Sequence, residues 1–166
     1  SSPGRTGWRM ELVNQMIDDD DDFASLFMHV FLRIANNDLP PSVRERLRNC
    51  RLLGIDKNAK KVRPIAIGET FYRMAAQMVL DHAKVQIDEH FGDIQLGINK
   101  RGGTEHAIHH ARHALGPDSI FATMDMSNAF NSPYRKEIKK VLSDPKWAPF
   151  WHMYNLAYSE HSDLIY

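Results

Sequence analysis

The sequence predicts an α+β fold, mostly helical, with a small antiparallel hairpin and the start of a further sheet. Three observations carry this. Apolar residues recur at helical spacing over several stretches, most clearly Phe23, Leu26, Phe27, Val30, Phe31 and Ile34. Two β-type runs, residues 51–55 and 62–67, flank a polar turn. A third apolar run, Ile120-Phe-Ala-Thr-Met, leads straight into Asp125 and reads as a strand ending in a carboxylate.

Taken in order, residues 1–8 carry Pro3, Gly4, Gly7 and Trp8 and read as a loop with an aromatic anchor. Residues 9–17 place Met10, Leu12, Val13, Met16 and Ile17 on a short amphipathic helix. Asp18 to Asp22 are five consecutive carboxylates. They predict a solvated loop whose last members favour the positive end of the next helix. Adjacent Asp side chains do not converge on a metal without a structured loop. The Phe23–Ile34 stretch is a core helix, ended by Asn36-Asn37 and Pro40-Pro41, with a short helical turn over 42–48.

Between the two β-type runs lies Asp56-Lys-Asn-Ala-Lys-Lys61, a hairpin with a basic tip. Such lysines either protect an exposed edge or reach over a polyphosphate or nucleic-acid backbone. Pro64 lacks an N–H and places its strand at the sheet edge. Gly68-Glu-Thr70 opens a long helix to about residue 91, with Phe71, Met74, Ala75, Met78 and Val85 on one face and Arg73 on the other. Glu69 suits the helix dipole, and Gly92 stops the helix.

Residues 95–98 read as extended, and Lys100 and Arg101 sit in a basic turn that suits a phosphate. Thr104 is the expected N-cap of a helix to about 115. That helix holds His106 with His110 and His109 with His113, each at the i,i+4 spacing of a zinc pair. No third ligand is nearby in sequence, so they read either as metal ligands or as polar-face residues. Gly116-Pro-Asp118 turns the chain into the Asp125 strand. Ser132-Pro133 then gives an N-cap and first residue for a helix to Leu142. Asp144-Pro145 breaks it, an aromatic-rich helix covers 147–158, and 162–166 reads as a strand beginning.

The totals narrow the function. A chain of 166 residues is the size of one domain. Lys plus Arg and Asp plus Glu are 21 each, so any nucleic-acid contact needs a local basic face rather than a basic whole. The lone Cys50 allows no internal disulfide, which suits a reducing compartment. No signal-peptide pattern opens the chain, and no apolar run approaches the roughly 20 residues that span a bilayer. An intracellular protein without a membrane partner is the expectation. Asp125 is the prime candidate for chemistry, because a carboxylate at a strand end can reach solvent or an ion instead of a core where charge is costly. It could equally cap a turn.

The order of residues around Asp125 adds a resemblance. Asp125-x-x-x-x-Phe130, with Asn128-Ala129 before the Phe, resembles the first palm motif of reverse transcriptases, in the form found in non-LTR retrotransposons. Val62-Arg-Pro-Ile-Ala-Ile-Gly-Glu-Thr70 is similar to the fingers motif of that family. Gln95-Leu-Gly97 with Gly102-Gly103 resembles the segment that links fingers to palm. Ser2-Pro-Gly-Arg-Thr-Gly-Trp8 resembles the motif that opens the domain. The four stand in the family's order over almost the whole chain.

The resemblance implies a single partial domain over 1–166, with fingers and their connection to about 118 and the start of a polymerase palm sheet from 119. It implies RNA-templated DNA synthesis from a DNA primer and deoxynucleotides, by phosphoryl transfer through two Mg²⁺ ions about 3.5–4 Å apart. Asp125 matches the carboxylate that bridges the ions and the Met126 carbonyl the main-chain ligand beside it. Phe130 matches the aromatic that excludes a ribose 2′-hydroxyl. Arg63 and Lys57 match the fingers cations on the triphosphate. Arg73, Lys100 and Arg101 are the candidates for backbone phosphates. The sequence holds no Gln-Gly template-grip motif, no aromatic-x-Asp-Asp hairpin and no thumb. The implied object is therefore a fragment, inactive as it stands, whose unpaired edges favour self-association. The rival expectation is a non-catalytic RNA- or protein-binding module derived from such a domain.

Overall fold

A computed structural model of the protein describes every residue except Ala59, Lys60, Asn99, Asn128 and Tyr166, and the backbone alone at Lys57, Asn58 and Lys61. In chain order the elements are α1 (Met10–Asp19), α2 (Asp21–Ala35), α3 (Pro41–Arg48), β1 (Cys50–Asn58), β2 (Lys61–Ile67), α4 (Thr70–His82), α5 (Lys84–Phe91), α6 (Gly103–Ala114), α7 (Arg135–Leu142), α8 (Ala148–Tyr158) and β3 (Leu164–Ile165). Short 3₁₀ turns cover Ala129–Asn131 and Pro145–Trp147. The architecture is α+β, as the sequence implies.

Two compact units share the chain. The first joins both ends, Ser1–His82 with Arg135–Tyr166, and the second is Ala83–Tyr134. The division expected near residue 118 is a functional one, and the compact units do not coincide with it.

In the first unit the apolar stripes of α1, α2, α4 and α8 face one another. Val13, Phe27, Phe31, Ile34, Ala75 and Leu156 form one buried cluster, with Ile17, Phe71, Met74 and Met78 packed around it. The i,i+4 ladder Phe23, Phe27, Phe31 packs its rings at centroid distances of 4.7 and 5.0 Å, the second pair edge-on. Truncating a buried Phe of this kind to Ala costs about 3–5 kcal/mol. The Asp run is not a loop. Asp18 and Asp19 end α1, and the Asp20 side chain caps α2 by accepting from the N–H groups of Asp22 and Phe23 at 2.9 and 3.0 Å. Asp21 and Asp22 occupy the first turn, where the helix dipole favours them.

The sheet has the order β2-β1-β3. β1 and β2 form the expected antiparallel hairpin, with Gly54 opposite Pro64 and Ile55 opposite Arg63. β2 lies at the edge, where a sheet tolerates a proline such as Pro64. β3 runs parallel to β1, pairing Leu164 with Cys50 and Ile165 with Arg51. Asn49 and Arg48 lock this return. Asn49 Oδ1 accepts from the Asp163 N–H at 2.9 Å, and the buried Arg48 guanidinium pairs with Glu160.

Several expected elements differ. The helix expected over 68–91 breaks at Ala83, which leaves helical geometry at φ −91° and ψ 4° where the second unit begins. No Gly or Pro marks the break. The strand expected over residues 120–125 has no regular structure. A strand exists through its ladder partners, and the second unit, which holds these residues, has no described strand to offer one. α6 starts at Gly103 rather than after Thr104, because Gly102 takes the cap position in the left-handed region at φ +67°. α7 starts at Arg135, not at Ser132-Pro133. Its start is fixed by α8, since Tyr154 donates its hydroxyl to the Arg135 carbonyl at 2.7 Å and the Arg135 guanidinium lies over the Tyr158 ring.

Candidate functional site

In the first unit, two segments far apart in sequence are tied around one buried carboxylate. Glu69 is 2% exposed. Its two oxygens accept from the Thr6 N–H at 3.0 Å and the Thr6 hydroxyl at 2.6 Å. Thr70, fully buried, donates its hydroxyl to the Trp8 carbonyl at 2.6 Å. Arg73 Nη2 donates to the Ser2 carbonyl at 2.7 Å, and the Trp8 ring packs on Phe71 at 5.5 Å. Gly4 admits this approach, because a Cβ there would lie 2.7 Å from the Glu69 Cα and 2.9 Å from the Gly68 carbonyl oxygen. The opening loop is thereby fixed to the start of α4, directly after the β2 strand that carries Arg63.

Beside this tie lies a half-buried polar cluster. Burial pushes the Tyr72 hydroxyl up to about 12, with Tyr158 and Cys50 adding to the shift. Burial also raises the Cys50 thiol, and the Glu69 charge adds to it. Both groups stay protonated at neutral pH and neither is a ready nucleophile. Arg63 is exposed on the edge strand, opposite Ile55. The Lys57 side chain and the hairpin tip lie outside the described residues.

In the second unit, the two halves of another sequence motif meet. A Cβ on Gly103 would lie 1.7 Å from the Leu96 carbonyl oxygen, so only glycine fits. The Gly97 N–H is held by the Gln95 side chain at 2.8 Å. Lys100 pairs with Asp93 at 3.7 Å, and Arg101 is exposed.

No family model, curated protein or solved structure matches the chain.

The candidates at the palm motif sit in open surroundings. Asp125 is exposed, Met126 is 72% exposed, and Phe130, on the 3₁₀ turn, is fully exposed. Asn128 lies outside the described residues. Phe130 therefore borders no cleft wall within its unit. Asp125 and the Met126 carbonyl are hard oxygen donors of the kind Mg²⁺ takes. Among the described residues, no three His, Cys, Asp or Glu side chains come together to hold an ion. The donors fit Mg²⁺ in kind and fall short of it in number. The fingers candidate Arg63 belongs to the first unit and the palm candidates to the second.

Sequence reasoning placed Glu69 at the helix dipole and missed its main role. A carboxylate between Gly68 and Thr70 gives no local sign of a partner at Thr6. Arg73, expected to meet phosphate, commits part of its guanidinium to the Ser2 carbonyl and the Thr70 hydroxyl.

Proposed function

We propose that the chain comprises the fingers and the first part of the palm of an RNA-directed DNA polymerase of non-LTR retrotransposon type. One observation carries most of the weight. The domain-opening motif and the Arg-Pro-Ile…Gly-Glu-Thr motif, singled out separately along the sequence, are joined through Glu69, Thr70 and Arg73. A joint between opening loop and fingers fits motifs that act as one unit. The contact between Leu96 and Gly103 supports the linking motif in the same way.

In this reading the exposed Arg63 binds the triphosphate of an incoming deoxynucleotide by charge-assisted hydrogen bonds. Asp125 and the Met126 carbonyl supply the first oxygen ligands for Mg²⁺, which when bound activates the primer hydroxyl and stabilises the leaving pyrophosphate. The remaining carboxylates come from palm segments outside this sequence, so the chain alone does not polymerise. Phe130 packs against the sugar once those segments complete the cleft. RNA template and DNA primer run along the exposed Arg101 and its neighbours.

Arg63→Ala tests the fingers assignment on the chain itself. A fluorescent deoxynucleoside triphosphate should bind the parent more tightly than the variant by roughly tenfold, the loss expected for one charge-assisted contact. Equal affinities with intact folding would count against it. The rival reading, a non-catalytic binding module, draws on the exposure of Ile120, Met124 and Phe130. It predicts RNA or protein capture that Asp125→Asn leaves unchanged, even with the rest of the palm present.

A further inference from the structure

The histidine-rich face of α6 takes no part in the polymerase reading. A helix advances about 100° per residue, so His106, His109, His110 and His113 fall within an arc of about 100°. Ala107, Ile108, Ala111 and Leu115 lie on the other side. All four histidines are exposed, and all four line one cleft of about 550 Å³ that Asp93 and Leu96 also border. Residues one turn apart have Cβ atoms about 5–6 Å apart. Two imidazoles at that spacing can meet on one ion with bonds of about 2.0–2.1 Å.

We infer that α6 is a clamp for borderline transition-metal ions, with His106/His110 and His109/His113 each giving two imidazole nitrogens to one ion. Because no three ligating side chains converge among the described residues, each site has two protein ligands, and water fills the rest. Imidazole sites take Zn²⁺, Ni²⁺ and Cu²⁺, with Cu²⁺ the tightest, and disfavour Mg²⁺ and Ca²⁺. The charged groups around the clamp are Asp93, paired with Lys100, Arg112 in the same cleft, and Glu105 in the first turn. Arg112 opposes a cation and the two carboxylates favour one. Ligation needs neutral imidazoles, so acid releases the ion. An ion held across one turn pins α6 against fraying. The clamp uses neither Asp125 nor Met126, so its failure and that of the polymerase reading are separable.

Isothermal titration of the whole chain with NiCl₂ and with ZnCl₂, and with MgCl₂ as control, tests this. The parent should bind up to two Ni²⁺ per chain and show no Mg²⁺ signal. His106→Ala/His113→Ala, which leaves one imidazole per pair with His109 and His110 about 100° apart around the helix, should weaken Ni²⁺ by roughly a hundredfold, the gain that a second tethered ligand provides. His109→Ala/His110→Ala, which leaves His106 and His113 about 10 Å apart along the axis, should do the same. Alanine is the better helix former, so both variants should keep their circular dichroism. His29→Ala/His161→Ala should bind like the parent. Parent affinity no tighter than that of the paired variants, an equal loss in the His29/His161 control, or displacement of Ni²⁺ by Mg²⁺ would overturn the clamp.

Discussion

Replacing Thr6 by Val tests the joint between the opening loop and α4. The substitution keeps the side-chain shape and removes one hydroxyl. That hydroxyl donates to Glu69 at 2.6 Å, while the Thr6 N–H continues to donate at 3.0 Å. Glu69 is 2% exposed, so water cannot readily replace the lost donor. A hydrogen bond to a charged group contributes about 1.5–3 kcal/mol. With a urea m-value of about 2 kcal/mol/M, the midpoint should fall by about 0.8–1.5 M. Tryptophan fluorescence is a suitable probe, because Trp8 packs against Phe71 within the same joint. Glu69→Gln should cost less, since its amide can still accept from the Thr6 N–H. The double variant should be less destabilised than the sum, because both changes break one contact. A Thr6→Val loss below about 0.5 kcal/mol, or strict additivity, would refute the buried-carboxylate account; a change that small is ordinary for an indifferent surface site.

Gly103→Ala should destabilise the second unit by about 1–3 kcal/mol or more, because its Cβ would displace the Leu96 carbonyl. Hydrogen exchange over α6 should then rise, while exchange in α2 stays unchanged. The pH dependence follows from Tyr72, whose hydroxyl is raised to about 12 in the folded chain against about 10 unfolded. A raised folded value means that the folded state holds the proton longer. The associated stability is therefore whole below about pH 10 and is lost as pH climbs towards 12. Tyr72→Phe should flatten that loss in urea titrations, and an unchanged slope would reject the burial of the hydroxyl.

Short-range features were legible. The Phe23, Phe27, Phe31 ladder could be read from its period, and Pro64 marked its strand as an edge before the sheet order was known. The last members of the Asp run could be assigned to the start of α2, but the run was expected to be a loop and Asp20 was not singled out as the cap, since five identical side chains carry no internal signal. What could not be read depends on partners distant in the chain. Glu69 looks like a dipole residue until Thr6, 63 residues away, supplies the donors. Gly103 is one of two adjacent glycines, and only the Leu96 carbonyl shows that its role is close approach. Ile120 to Asp125 has strand composition, but its unit holds no described strand to pair with, so propensity alone did not make the element. The break at Ala83 has no local residue to announce it. Of the site, Arg63 was placed on its edge strand by pattern. The surroundings of Asp125 and Phe130 depend on elements that their own spacing does not specify.

Primer extension in a protein that joins this chain to the remaining palm and thumb tests the polymerase reading most directly. With an RNA template, a DNA primer, deoxynucleotides and Mg²⁺, the parent should extend the primer. Asp125→Asn, which removes the charge and keeps the shape, should abolish extension while leaving the fold and template binding intact. Extension by the Asp125→Asn protein at the parent rate would contradict the reading.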